Sequence, residues 1–228
     1  MKKLFVLLLS FISCYSVWAQ LAVVNDSAGF VAVRENVDAK SKITDTLHNG
    51  RVVLSFDVHG KWLFADYSRH GKTLSGHIPA LRVTFFNNMT KFSKSSVNDS
   101  TIILSFDSMK IIIATGKFEK NKSTIQYGKR DVFVKSINGK FPYGTDGNLP
   151  RRQYKLINVH INGNSIAIDK NCWADLFEPS LALTNAFIDT SRKTIYLAAQ
   201  NSDGAGTYTV VWEFKNGQYS NREVFLAE

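Results

Sequence analysis

A mainly β fold is predicted for this chain of 228 residues, and three observations predict it. Apolar and polar residues alternate over short runs, as in Lys61-Trp62-Leu63-Phe64-Ala65-Asp66-Tyr67. Asn-Gly pairs stand at the joins between such runs, where glycine supplies the positive φ of a tight turn (Asn49-Gly50, Asn138-Gly139, Asn162-Gly163 and Asn216-Gly217). Helical spacing is confined to residues 172–183, where Trp173, Leu176 and Phe177 stand three and four apart, so one short helix is expected there.

The first nineteen residues read as an export signal rather than as part of the fold. Lys2 and Lys3 form a positive head, Leu4 to Ile12 an apolar run too short to span a bilayer, and Val17-Trp18-Ala19 a small-residue cleavage site before Gln20. The alternative cut, at Phe11-Ile12-Ser13-Cys14, would leave Cys14 as a lipidated terminus. Either way the expectation is a periplasmic or secreted protein with no integral membrane segment in its mature chain. Cutting after Ala19 leaves Cys172 as the sole cysteine, so stability must come from core burial instead of an internal disulfide.

From residue 22 to 84 the pattern is five or so short strands without helical periodicity, which predicts a small barrel. Four landmarks follow one another: Gly29-Phe30-Val31-Ala32-Val33-Arg34; Ile43 with Leu47-His48-Asn49-Gly50; Gly60-Lys61-Trp62; and Gly76-His77-Ile78. In this order they resemble the bacterial SH3-like domain. The resemblance implies a peptide- or glycan-binding groove beside the loop after Arg34. Ala32 stands where that family commonly has Asn, and Glu35-Asn36-Val37-Asp38 lacks its usual Gly-Pro, both next to that groove. Arg34 is expected to brace the loop by hydrogen bonds from its guanidinium to backbone carbonyls. Among the aromatic candidates Trp62, Phe64, Tyr67 and His77, the expected ligand contacts are Tyr67 and the loop that begins at Arg69, taken as the more exposed.

Residues 85–98, rich in Ser and Lys and poor in alternation, read as a linker. Residues 99–228 read as a second β-rich domain: Thr101 to Phe106, Lys110 to Thr115, Asp131 to Ile137, Leu156 to Asn162, Thr194 to Ala199 and Tyr208 to Phe214 are all strand-like. Segments such as FPYGTDGNLPRR resemble uncharacterised exported bacterial proteins, a resemblance that implies no chemistry.

Catalytic constellations are hard to find in this composition. Cys172 with the distant His160 lacks the setting of a cysteine nucleophile, and an inert thiol is the expectation. His48, His59, His70 and His77 are too widely spaced for a zinc cage. Two glycine-rich loops, Tyr143 to Asn148 and Asn201 to Gly206, each offer one carboxylate, Asp146 and Asp203, either as structural turns or as a polar-ligand or calcium site. The expectation is therefore no enzyme, no cofactor and no metal. What remains is an exported binding protein that recognises a cell-wall polymer (peptidoglycan peptide or glycan) or an exported protein through Tyr67, Arg69, Asp146 and Asp203. Two other readings stay open: an inhibitor or immunity protein acting on an exported hydrolase or toxin, and an unrecognised cell-wall hydrolase. A formal charge of +9 spread along the chain suits anionic envelope polymers, while export and the lack of any recognition signature speak against nucleic acid.

Overall fold

The computed structural model describes residues 20–69, 72–128, 132–166 and 168–226; the expected export signal with its Cys14, and His70-Gly71 in the basic loop, lie outside the described residues. Almost all of the regular structure is strand, as the alternation predicts. Among the described residues no helix is long and apolar enough to cross a membrane.

The first layer is a seven-stranded antiparallel sheet made of β1 (Gln20–Val24), β2 (Phe30–Arg34), β3 (Ile43–His48), β4 (Val52–His59), β5 (Trp62–Arg69), β6 (Lys72–Pro79) and β7 (Val83–Phe85). Its order is β3-β2-β6-β5-β4-β1-β7. The sheet curls into a half-barrel, so that Val31, Val33, Leu47, Val53, Leu63, Ala65, Tyr67 and Ile78 meet Val83 and Phe85 from its far edge in one core. Each such aliphatic side chain, fully buried, stabilises the fold by about 1.5–3 kcal/mol. Strands β2 and β6 approach so closely that Gly76 has no room for a side chain: a Cβ there would lie 2.3 Å from Val33 Cγ1. Gly76→Ala is expected to cost about 1–3 kcal/mol by overpacking, read as a lower urea midpoint with an unchanged slope.

Strands β1 and β4 are the exception to alternation, and their sequences say why. LAVV is a continuous apolar run, and VVLSF is broken only by the buried Ser55, because both faces are covered. Ala22, Val24 and Val53 enter the half-barrel core. Val23, Val52 and Leu54 point the other way, onto Phe187, Tyr196, Ala198, Val211 and Phe225 of the next layer.

That layer is a five-stranded antiparallel sheet of β8 (Thr90–Lys91), β16 (Thr184–Asp189), β17 (Thr194–Asn201), β18 (Tyr208–Lys215) and β19 (Gln218–Leu226), ordered β19-β18-β17-β16-β8. Strands β17 and β18 are buried almost throughout, because a third layer covers their second face. The third layer contains β9 (Ser93–Asn98), β10 (Thr101–Phe106), β11 (Met109–Lys117), β14 (Arg152–Ile161) and β15 (Asn164–Ile166), ordered β15-β14-β11-β10-β9. Ile102, Leu104, Ile111, Ile113, Tyr154, Ile157 and Val159 face Ile195, Leu197, Ala199, Val210, Trp212 and Phe214 across the sandwich. A two-stranded ribbon, β12 (Ile125–Tyr127) with β13 (Val134–Ile137), packs on Phe177 at one end.

Three local expectations are corrected. The linker expected over 85–98 is largely strand: β8 pairs with β16 and β9 with β10, and Phe92 between them is buried. Strand β9 shows no alternation because it is an edge strand exposed along its whole length. The helix expected over 172–183 is a single 3-10 turn, Lys170–Cys172, followed by an irregular crossing. Pro179 lies inside that span, and a proline in a helix interior removes a hydrogen bond and clashes with the preceding turn. The residue before it, Glu178, adopts φ 50° instead. Trp173, Leu176 and Phe177 are buried all the same, so their spacing recorded burial and not helicity. The Asn138-Gly139 turn closes only an isolated bridge between Ile137 and Lys140, while Asn162-Gly163 and Asn216-Gly217 join β14 to β15 and β18 to β19 as hairpins.

Candidate functional site

Strand β17 ends at Asn201 and strand β18 begins at Tyr208, and the turn between them carries Asp203. Asn201 is completely buried, and its amide anchors three elements. Its side-chain Oδ1 accepts from the Ser180 backbone N–H at 2.9 Å, and the Tyr154 hydroxyl lies 3.0 Å from its Nδ2. The neighbouring Ser202 then donates from its Oγ to the Gly144 carbonyl at 2.8 Å, which ties this turn to the loop that carries Asp146. Gly206 packs against the same loop: a Cβ at that position would lie 3.2 Å from the Gly144 carbonyl oxygen and 3.3 Å from Asp146 Cβ. The two glycine-aspartate loops are therefore one surface at one end of the sandwich.

Geometry explains the glycines. Gly144 has φ 90°, and a Cβ there would stand 2.6 Å from the Phe177 carbonyl oxygen, so only glycine lets this loop lie on the crossing segment. Backbone hydrogen bonds from Tyr143 N–H to the Asp175 carbonyl, and from Phe177 N–H to the Tyr143 carbonyl, hold the loop along that segment. Tyr208 reaches the same crossing, its hydroxyl donating to the Phe177 carbonyl at 2.8 Å. Burial pushes the hydroxyls of Tyr154 and Tyr208 well above the ordinary tyrosine pKa, so both stay neutral.

Asp146 and Asp203 are exposed on this framework. On and beside the Asp146 loop are two partly exposed rings: Phe141 is 59% exposed and Phe133, whose ring tip lies over Gly128, 48%. Phe141 meets Tyr143 edge to face at 5.0 Å between centroids, and Tyr143 leans on the buried Tyr208 at 5.9 Å. Phe133 is set beside Gly147, and the Val134 N–H donates to the Gly147 carbonyl at 2.7 Å. Arg151 lies at the same end with its side chain 80% exposed, its Nε 3.6 Å from Glu178, whose backbone carbonyl accepts from Ser202 N–H. Trp212, another aromatic of these strands, is fully buried in the sandwich.

One carboxylate from each loop, with the Gly144 carbonyl already taken by Ser202, suits hydrogen bonds to hydroxyl or amide groups. A calcium cage needs roughly six to eight oxygens. Among the described residues no three of His, Cys, Asp and Glu gather where one metal ion could be held.

In the half-barrel the expected contacts separate. Tyr67 is 3% exposed and sits in the core, because Leu63, Ala65 and Tyr67 share the inward face of β5. Its ring is unavailable for stacking, and the expectation that it is one of the more exposed aromatics is corrected. Arg69 remains partly exposed but is paired with the Asp45 carboxylate. Phe64 and His77 take the outward face instead, neighbours across β5 and β6 at 5.1 Å between centroids. Trp62 stands half-buried on the same outward face and not in the core. Arg34 braces its loop as expected, donating from Nη1 to the Ser41 carbonyl at 2.5 Å.

Cys172 and His160 do not meet. Cys172 packs against the sandwich core, whereas His160, one residue beyond inward-facing Val159, takes the outer face of the third layer. The Cys172 carbonyl is engaged as an acceptor for Trp212 Nε1 at 2.9 Å and Arg222 Nη1 at 3.1 Å. Phe133, Phe141 and Asn201 are the residues that sequence reasoning missed. A phenylalanine immediately before Pro142 in a glycine loop is the one signal that could have marked Phe141 as exposed. Comparison with known protein families, with curated proteins and with solved structures finds no match.

Proposed function

We propose that this chain is a non-catalytic exported binding protein, with an SH3-like module in its half-barrel, that recognises a component of the cell envelope. The observation that carries the reading is the union of the Asp146 and Asp203 loops through Ser202 and Gly144, framed by exposed Phe133 and Phe141. Such a surface offers ring faces for stacking on sugar or peptide, carboxylates to accept from hydroxyl and amide groups, and Arg151 to meet a ligand carboxylate. Because its loops are pinned by buried hydrogen bonds, little conformational freedom is lost on binding. Peptidoglycan presents all three kinds of group, as glycan hydroxyls, peptide amides and carboxylates, and its net negative charge complements the basic chain. The SH3-like reading of the half-barrel is supported by its landmarks: Gly29 precedes β2, Gly60 turns β4 into β5, and Gly76-His77-Ile78 lies on β6.

The test is a pull-down on purified peptidoglycan, followed by titration with soluble muropeptides. Wild-type protein is expected to bind, and Phe141→Ala together with Asp203→Ala to weaken binding by about tenfold or more, the equivalent of roughly 1.4 kcal/mol. Phe64→Ala, on the outward face of the half-barrel, is the control. Should Phe64→Ala weaken binding instead, the ligand surface belongs to the half-barrel. No retention of wild-type protein by peptidoglycan ends the wall-ligand reading.

A further inference from the structure

The sandwich between the second and third layers is closed at one end and open at the other. At the loop end, Trp173, Leu176, Tyr154 and Tyr208 cap the core with large rings and chains. At the opposite end of β17 and β18 the last apolar row, Ile188, Ile195 and Phe214, runs across three strands of one sheet. Met109 and Ile161 face it from the other sheet. Beyond this row come turns: Asp107-Ser108, Asn162-Gly163, the bend from Thr190 to Lys193, and Asn216-Gly217. None carries an apolar side chain long enough to fill the gap, and a cavity of about 480 Å³ remains, within the size range of small-molecule sites.

Of the residues that line it, Lys193 is the charged one, and its side chain is exposed. Among the described residues no carboxylate is paired with that amine. Lys193 has φ 50°, a left-handed conformation in which glycine would be unstrained. The backbone there is pinned from both sides, with Asn216 N–H donating to the Lys193 carbonyl at 3.1 Å and Lys193 N–H to the Thr190 carbonyl at 3.4 Å. An apolar slot with an exposed lysine on a held backbone at its mouth is complementary to a molecule that is apolar along its length and anionic at one tip.

We infer that this cavity binds a single aliphatic chain ending in a carboxylate, with the chain between Ile188, Ile195 and Phe214 on one side and Met109 and Ile161 on the other, and the carboxylate on Lys193. The site is distinct from the loop surface, since the two lie at opposite ends of the same strands.

Calorimetric titration of the full chain with decanoate tests the assignment. Saturable one-to-one binding is expected, at least about tenfold weaker for Lys193→Glu and for the uncharged decanol. Thr190→Trp, which places a large ring at the mouth, is expected to reduce decanoate binding likewise. Both substitutions fall on the exposed bend between β16 and β17, and an unchanged thermal midpoint checks that each variant folds. Absence of saturable decanoate binding, equal affinity in Lys193→Glu, or association only with vesicles of anionic phospholipid would each overturn the inference.

Discussion

Above pH 10 the protein is expected to lose stability steeply and to unfold in one cooperative step, with tyrosinate absorbance appearing in the same transition. Tyr67, Tyr154, Tyr196 and Tyr208 are all buried, and burial is the main cause that raises each hydroxyl above the ordinary tyrosine value of 10.0. For Tyr196, in the seam between the half-barrel and the sandwich, the Glu213 carboxylate raises it further. The sign follows from linkage. Below the unfolded value both states hold these protons and the tyrosines contribute no pH dependence; above it the unfolded chain ionises while the folded chain does not. The unfolded state then binds fewer protons, so stability falls as pH rises through that value and toward the raised folded ones. Each such tyrosine removes up to about 1.4 kcal/mol per pH unit while its folded form stays protonated, and four together up to roughly 5 kcal/mol per unit, against a total stability of about 5–15 kcal/mol for a typical domain. Tyr196→Phe should flatten the slope by up to about 1.4 kcal/mol per pH unit. Titration of all the tyrosines near pH 10 in a chain that stays folded would show that these hydroxyls are open to water, and the account of the core would fail.

Asp175→Ala is expected to cost about 3–5 kcal/mol, the loss seen when one partner of a buried ion pair is removed. Asp175 lies on the irregular crossing and is buried, as most of the Arg222 side chain on β19 is. The pair is two-pronged: Nη1 donates to Oδ1 at 2.6 Å and Nη2 to Oδ2 at 3.0 Å. Burial works against the Arg222 charge, but Asp175 outweighs it and holds the guanidinium above its ordinary pKa. Without the carboxylate, Arg222 keeps only the Cys172 carbonyl among these bonds and its charge is left uncompensated. The damage should spread to the proposed ligand surface, because Tyr143 N–H is bonded to the Asp175 carbonyl and the crossing supports the Gly144 turn. Urea unfolding measures the loss, and Asp175→Asn, which keeps the shape and one acceptor, should lie between. A loss below about 1 kcal/mol would class the pair with exposed salt bridges.

Legibility varied with how local the cause was. The Asn162-Gly163 and Asn216-Gly217 hairpins were readable because the turn itself demands those residues. The brace from Arg34 to its loop was readable for the same reason, since it spans seven residues. The helix over 172–183 was misread because spacings of three and four record burial in any geometry, and Pro179 was the decisive residue. Tyr67 was misplaced because alternation tells that two faces differ but not which face is inside. Strand β9 left no trace because an edge strand exposed throughout has no need to alternate.

By itself the sequence determined the strand-rich class and the major turns, both properties of neighbours along the chain. Tertiary structure alone decided that β1 and β4 are covered on both faces, that Asp146 and Asp203 share one surface although 57 residues apart, and that the sandwich stays open beside Lys193. Those outcomes depend on which sheet lies against which, through packing contacts between residues distant in sequence, and no local pattern of residues encodes such a pairing.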